Sequence, residues 1–189
     1  MNNVIALIPA KGNSSRLPHK NKHEFRGKPL IAWTLDEAVK SKYIDKLYVS
    51  TDDEVIKQVS ESKGAIVVDR PKHLTLDCVG KRDVLLHALE ETQKGKPKYV
   101  CLLQANSPQI KVEDIDKAIE KVVTSGGKVK DCCSMNKDTL LTDGAIRVFE
   151  FDVIFTHGPG MYQSCILTDY VDVHTEQDLQ KVGEILDRV

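Results

Sequence analysis

The stretch NVIALIPAKGNSSRLPHKN, residues 3–21, is apolar as far as Ala10 and then turns polar and basic. NVIALIP reads as a buried strand, because its apolar run is continuous, as expected of a strand covered on both faces. Between Lys11 and Lys28 stand six Lys or Arg (Lys11, Arg16, Lys20, Lys22, Arg26, Lys28) against one acid, Glu24, on a chain of formal net charge −1. Gly12 and Asn13 tolerate tight backbone geometry. Ser14 and Ser15 add hydroxyls. Such a loop is either a solvated charge-rich run or a cradle for an anion.

The segments that follow set its surroundings. PLIAWTLDEAVKS reads as a helix with Leu30, Ile31, Thr34, Leu35, Ala38 and Val39 on one face and Pro29 in its first turn. KLYVS (46–50) and AIVVD (65–69) read as strands. Between them DDEVIKQVSES reads as a helix, with acids in its first turn and Val55, Ile56 and Val59 inward. GKRDVLLHALEETQK is a further helix, with Val84, Leu85, Ala88 and Leu89 inward. KYVCLLQ (98–104) is a strand, and KVEDIDKAIEKVVTS a helix closed by Gly126-Gly127. KVKDCCSM, AIRVFEF, DVIF and YVDVH read as strands, with 136–143 the most loop-like part. TEQDLQKVGEILDRV is the closing helix, with Thr175 as its N-cap and Asp178 at the third helical position. Strand–helix alternation of this kind predicts a Rossmann-like α/β fold: one domain over 1–189, with a mostly parallel sheet and helices on both faces. In such sheets ligands bind beyond the carboxyl ends of the strands, which is where the loop after Pro9 begins.

Composition narrows the function classes. At 189 residues, 41% hydrophobic and 29% charged, the chain can bury a real core. A balanced charge argues against nucleic acid as partner, since a basic footprint would dominate such a domain. No stretch reaches the roughly 20 apolar residues of a membrane helix, and MNNVIALIPAKG lacks the charged start of a signal peptide. Five cysteines without paired spacing (Cys78, Cys101, Cys132, Cys133, Cys165) suit reduced thiols. A cytoplasmic protein is expected. Neither G-x-x-x-x-G-K-[ST] nor G-x-G-x-x-G occurs, so the basic loop is neither a Walker loop nor a dinucleotide fingerprint.

IPAKGNSSRLPHKN followed by GKPLIAWTLDEA resembles the opening of the sugar-activating cytidylyltransferases, the family of the acylneuraminate (CMP-sialic acid) and CMP-Kdo synthetases. The resemblance continues in order through VSTDDEVI (49–56), VVDRPKHL (67–74), HALE (87–90), LLQANSP (102–108) and VDVHTEQDL (171–179). It implies a nucleotide-diphosphosugar-transferase type of fold and transfer of CMP from CTP to an acidic sugar, with release of pyrophosphate. It also implies Mg²⁺, with Mn²⁺ as an alternative, and CTP and an acidic small molecule as partners. By the same resemblance Lys11, Arg16 and Lys20 act on the triphosphate, and Ala10, Gly12, Asn13 and Ser14 cradle it. Asn21 lies near the ribose or base, Arg70 helps read cytosine, and Asp77 and Gly80 line the base side. Gln104, Asn106 and Ser107 face the acceptor. Where the family has Arg, this chain has Lys11, which keeps the charge but loses the bidentate fork.

The family's acid-x-acid metal motif reads Asp172-Val173-His174, so Asp172 matches a carboxylate and His174 replaces one. Mg²⁺ prefers oxygen ligands. The few dozen residues that in the family precede the N-G-A-[IL] strand, and carry a dimerisation arm and part of the sugar site, are nearly absent near 136–143. A homodimer is therefore an open expectation, as is a different acceptor such as a phosphonate, or a nucleotide-binding relative without turnover. Other residues have simpler readings. Arg70 before Pro71 can fix a turn, and Asp172 can cap an element. His87 and Trp33 read as packed side chains and Cys101 as core. His157 and His174 lack any recognisable metal-ligand spacing.

Overall fold

A computed structural model describes residues 3–92, 97–155 and 162–187. The opening apolar run forms strand β1 (Val4–Pro9), and its side chains alternate between two cores. Val4, Ala6 and Ile8 enter one; Ile5 and Leu7 enter the other. Neighbours β4 (Lys46–Thr51) and β6 (Tyr99–Leu103) pair with it in parallel, and β5 (Ile66–Asp69) extends the parallel half beyond β4. Beyond β6 come β8 (Thr142–Glu150), β7 (Asp131–Asn136) and β9 (Gln163–Thr168), giving the order β5-β4-β1-β6-β8-β7-β9. β8 runs antiparallel to both β6 and β7, while β7 and β9 are parallel. The short turn 137–141 joining β7 to β8 explains the reversal, since a tight connection permits only antiparallel pairing. A two-residue-per-strand hairpin, β2 (Glu24–Phe25) and β3 (Lys28–Pro29), closes the basic loop.

Helices α1 (Leu30–Ala38), α2 (Glu54–Ser62) and α4 (Val112–Val123) cover one face of the sheet, contributing Ile31, Leu35, Ile56, Ile115 and Ile119. On the opposite face lies α3 (Lys81–Thr92), which contributes Leu85, Ala88 and Leu89. α5 (Glu176–Leu186) makes a third cluster with Leu17, Phe25 and Leu30 and so clamps the basic loop to the body of the protein. Its start is the expected one: Thr175 and Asp178 form a reciprocal capping box.

The structure departs from four readings. Val39 and Val55, expected inward, are about half exposed. Val39 caps the end of α1, and Val55 lies in the first turn of α2, off its buried stripe. DVIF forms part of a 3₁₀ segment (Phe151–Phe155) rather than a strand, a choice that a short apolar run leaves open. YVDVH is irregular: the N–H of Val171 bonds Gln109 Oε1 and that of Val173 bonds Asn106 O, so no ladder forms. Finally, β9 escaped the reading altogether. The end of the third predicted helix (93 and 94) and His157 lie outside the described residues.

Candidate active site

The loop after β1 is fixed from beneath before it meets any ligand. Ala10 N donates to Ser50 O at the end of β4, and Gly12 N donates to Asp52 Oδ1 at 2.9 Å. At Gly12 the chain passes so close to α2 that a Cβ would lie 2.7 Å from Asp53 Cβ, and Asp53 is held as the N-cap of α2. Buried Asn21 donates to Lys11 O at 2.9 Å and folds the loop back on itself. His19 takes the left-handed conformation (φ 56°) at the start of the turn that presents Lys20.

What results is a cleft of about 480 Å³ over the carboxyl ends of β1 and β6. Of the sequence-predicted residues, Lys11, Ser14, Arg16, Lys20, Asn21, Arg70, Asp77, Gln104, Asn106, Asp172 and His174 line it. Ala10, Gly12 and Ser107 are buried, so they shape the backbone rather than the cleft wall. Among the described residues the Ser107 hydroxyl has no hydrogen-bond partner. Asn13 lines an adjoining recess of about 310 Å³ with Asp52 and Asp77. Gly80 is exposed and is not part of the wall.

A linked chain of polar groups crosses the floor. Lys20 Nζ donates to Val173 O at 2.9 Å and to His174 Nδ1 at 3.2 Å. An ammonium can only donate, so Nδ1 is the acceptor and the ring proton sits on Nε2. That nitrogen lies 2.8 Å from Asp172 Oδ2. The other carboxylate oxygen of Asp172 accepts from Asn106 Nδ2, which also donates to Val173 O. Burial lowers the His174 pKa against the opposing pull of Asp172, consistent with a neutral ring. Burial also brings Lys20 down to about 8: the attraction of Asp172 opposes the shift, and Arg16 and Lys81 repel the ammonium further.

Elsewhere the groups are engaged structurally. Lys11 pairs with Asp77 at 2.5 Å, tying the basic loop to the segment before α3 across the cleft mouth. The pair holds the Asp77 carboxyl below the usual carboxylate range. Arg70 is nearly buried and bonds Ser50 through Nη2 at 2.7 Å and Nε at 3.2 Å, and burial lowers its pKa. It therefore both fixes the end of β5 and reaches the cleft.

Sequence reasoning passed over Lys81, which lines the wall as the first residue of α3. A signal existed: a cation opening a helix opposes the helix dipole. Leu74, Leu76, Val79 and Val84 supply an apolar side that has no motif of its own.

For a divalent metal, the donor set is thin. Among the described residues no group of three or more His, Cys, Asp or Glu converges. Asp172 can offer a carboxylate, whereas both ring nitrogens of His174 already have partners. Such a set suits a hard cation that brings most of its oxygen ligands with a phosphate chain.

Residues 5–150 match the family described as Cytidylyltransferase. Pseudaminic acid cytidylyltransferase of Campylobacter jejuni is 35% identical over 127 residues, 66% of this chain and 55% of that protein. N-acylneuraminate cytidylyltransferase of Streptococcus agalactiae is 36% identical over 118 residues, 61% of this chain and 28% of that protein. The matches thus span at most about half the length of these relatives. A CMP:2-keto-3-deoxy-manno-octonic acid synthetase solved with CTP superposes with a TM-score of 0.75 at 17% identity, over 98% of both chains. A cytidylyltransferase of Leptospira borgpetersenii gives 0.75 at 15% identity, over 99% of this chain and 87% of that one. Because the family match covers well over half of its length, the chain belongs to the cytidylyltransferase family.

Proposed function

We propose that this protein transfers CMP from CTP to a hydroxyl of an acidic sugar and releases pyrophosphate. The observation that carries the reading is one cleft that gathers Arg16, Lys20 and Lys81 against Asp172 at the ends of β1 and β6. The acceptor oxygen attacks the α-phosphorus, the bond to the β-phosphate oxygen breaks, and the hydroxyl proton leaves to solvent. Little covalent work falls to the protein, so positioning and charge neutralisation dominate. Arg16 and Lys20 hold the departing pyrophosphate. Asn21 and Arg70 lie toward the nucleoside, and Gln104 toward the acceptor. His174 fixes the ammonium of Lys20 and the carboxylate of Asp172 in one line. A Mg²⁺ or Mn²⁺ ion, held by Asp172 and the phosphates, would neutralise charge and activate the α-phosphorus. His174 is better suited to positioning than to ligation.

Calorimetric titration of CTP, ATP, GTP and UTP with Mg²⁺ tests the reading. A clear preference for CTP is expected, followed by pyrophosphate release with a 2-keto sugar acid. Equal binding of all four nucleotides, or none, would remove the cytidylyltransferase activity. CTP binding without pyrophosphate release in Mg²⁺ or Mn²⁺ would leave a nucleotide-binding protein.

A further inference from the structure

The main cleft and the recess of about 310 Å³ beside it share Lys11, Ser15, Leu76 and Asp77 among their lining residues. The Lys11–Asp77 ion pair, at 2.5 Å, is therefore part of their common wall. Asp77 belongs to the stretch 75–80, between the 3₁₀ turn Lys72–Leu74 and α3. Backbone bonds at this stretch are local, Thr75 N to Lys72 O and Val79 N to Leu76 O. Side chains rather than a backbone ladder hold it to the basic loop.

The charges around this pair are unequal. Five cations line the main cleft (Lys11, Arg16, Lys20, Arg70 and Lys81) against two acids, Asp77 and Asp172. Asp172 is engaged by His174 and Asn106, whereas Asp77 faces Lys11 directly. The Lys11 side chain is 29% exposed and that of Asp77 67%, so water screens the pair and its net contribution is small. A phosphate chain in the cleft competes for the same ammonium with more charge and more acceptor oxygens than one carboxylate has. As long as Asp77 stays in place, it repels that chain.

We infer that Asp77 is an internal counter-ion, which occupies Lys11 in the empty protein and yields it to the phosphate chain of the nucleotide. The inference rests on the transfer reading above and adds a gate to that site. Asp77 is then a specificity residue for polyphosphate. A ligand with a single phosphate gains too little from Lys11 to displace the carboxylate. Once pyrophosphate has left, Asp77 takes Lys11 back. This role is opposite in sign to the base contact that the resemblance implies for Asp77. A base contact strengthens CTP binding, whereas a counter-ion at the mouth weakens it.

Asp77→Asn keeps the side-chain shape and removes the charge at a largely exposed position, and Lys11→Met removes its partner. Calorimetry at fixed ionic strength would follow CTP and CMP with Mg²⁺, and inorganic pyrophosphate without it, on the wild type, both single variants and the double variant. Asp77→Asn should bind CTP and pyrophosphate about threefold tighter or more, and CMP within about twofold of the wild type. The gain should vanish in the Lys11→Met background, because the two residues act as one pair. Unchanged or weaker CTP and pyrophosphate binding in Asp77→Asn, or a gain that persists in the Lys11→Met background, would overturn the counter-ion. Pyrophosphate separates this inference from the reading it rests on. If the wild type binds CTP no better than ATP, GTP or UTP while Asp77→Asn still tightens pyrophosphate through Lys11, the exchange stands and the cytidylyltransferase reading falls.

Discussion

At the level of single residues, Lys20 carries the sharpest consequence. Its ammonium is partly desolvated and crowded by Arg16 and Lys81, which is unfavourable in the empty protein. A triphosphate reverses that balance by supplying the missing negative charge. The folded pKa of about 8 is below that of an unfolded lysine, so the empty protein loses this charge as pH rises through about 8. The folded form then binds fewer protons than the unfolded chain from about pH 8 up to the ordinary lysine range, and through this group stability rises with pH in that window. Function should move the other way: kcat/KM for CTP should fall above about pH 8, and CTP binding there should be accompanied by proton uptake. Lys20→Met should lower kcat by roughly 10²-fold or more, as for removal of a donor to a developing charge, without lowering the melting temperature. Pyrophosphate-release kinetics over pH 6.5–9.5 and thermal unfolding check both statements. Full activity in the variant, or a flat pH profile, would take Lys20 out of the reaction.

At the level of elements, α5 links folding to the site. Its capping box holds His174 as well, because Asp178 Oδ2 accepts from the N–H groups of both His174 and Thr175 at 2.8 Å. Asn106, in the turn after β6, grips the same irregular segment from the other side through Asp172 and Val173. Thr175→Ala should cost about 1 kcal/mol, the usual value of a lost N-cap. For a chain of this size that is a fall of about 2–4 °C in melting temperature. Because Asp178 would still reach His174, activity should fall only a few-fold. A melting temperature unchanged within 1 °C would mean that the box contributes nothing measurable.

At the level of the whole molecule, the cleft is assembled from the loop after β1, the ends of β5 and β6, the start of α3 and the lead into α5. A ligand that bridges these parts should stabilise all of them together. With CTP and Mg²⁺ at 100 times the dissociation constant, unfolding should be harder by about 2.7 kcal/mol. Differential scanning calorimetry should show a single transition moving upward with CTP. The shift should shrink in high salt, because screening weakens phosphate–cation attraction at the open cleft mouth. A transition that splits, or a shift indifferent to salt, would show that the cleft is not built as one electrostatic unit.

The sequence by itself determined the parallel half of the sheet and the basic loop after β1. β1, β4, β5 and β6 announce themselves through continuous apolar runs, and the loop through its local charge, which needs no partner to be seen. The helix start at Thr175 was legible for the same reason, since a cap acts within a few residues, whereas Asp53, read as part of the first turn of α2, is its N-cap. Only the tertiary structure decided that β8 runs antiparallel, that Gln163–Thr168 is an edge strand, and that DVIF coils into a 3₁₀ turn. Each depends on what packs against the segment, not on its own period. The same holds inside the cleft. The resemblance pointed to Asp172 and His174 as the metal residues; the fold also brings Lys20 and Asn106 to them across 154 and 66 positions. Contacts over such separations leave no local trace, which is why the charges could be read from the chain and their partners could not.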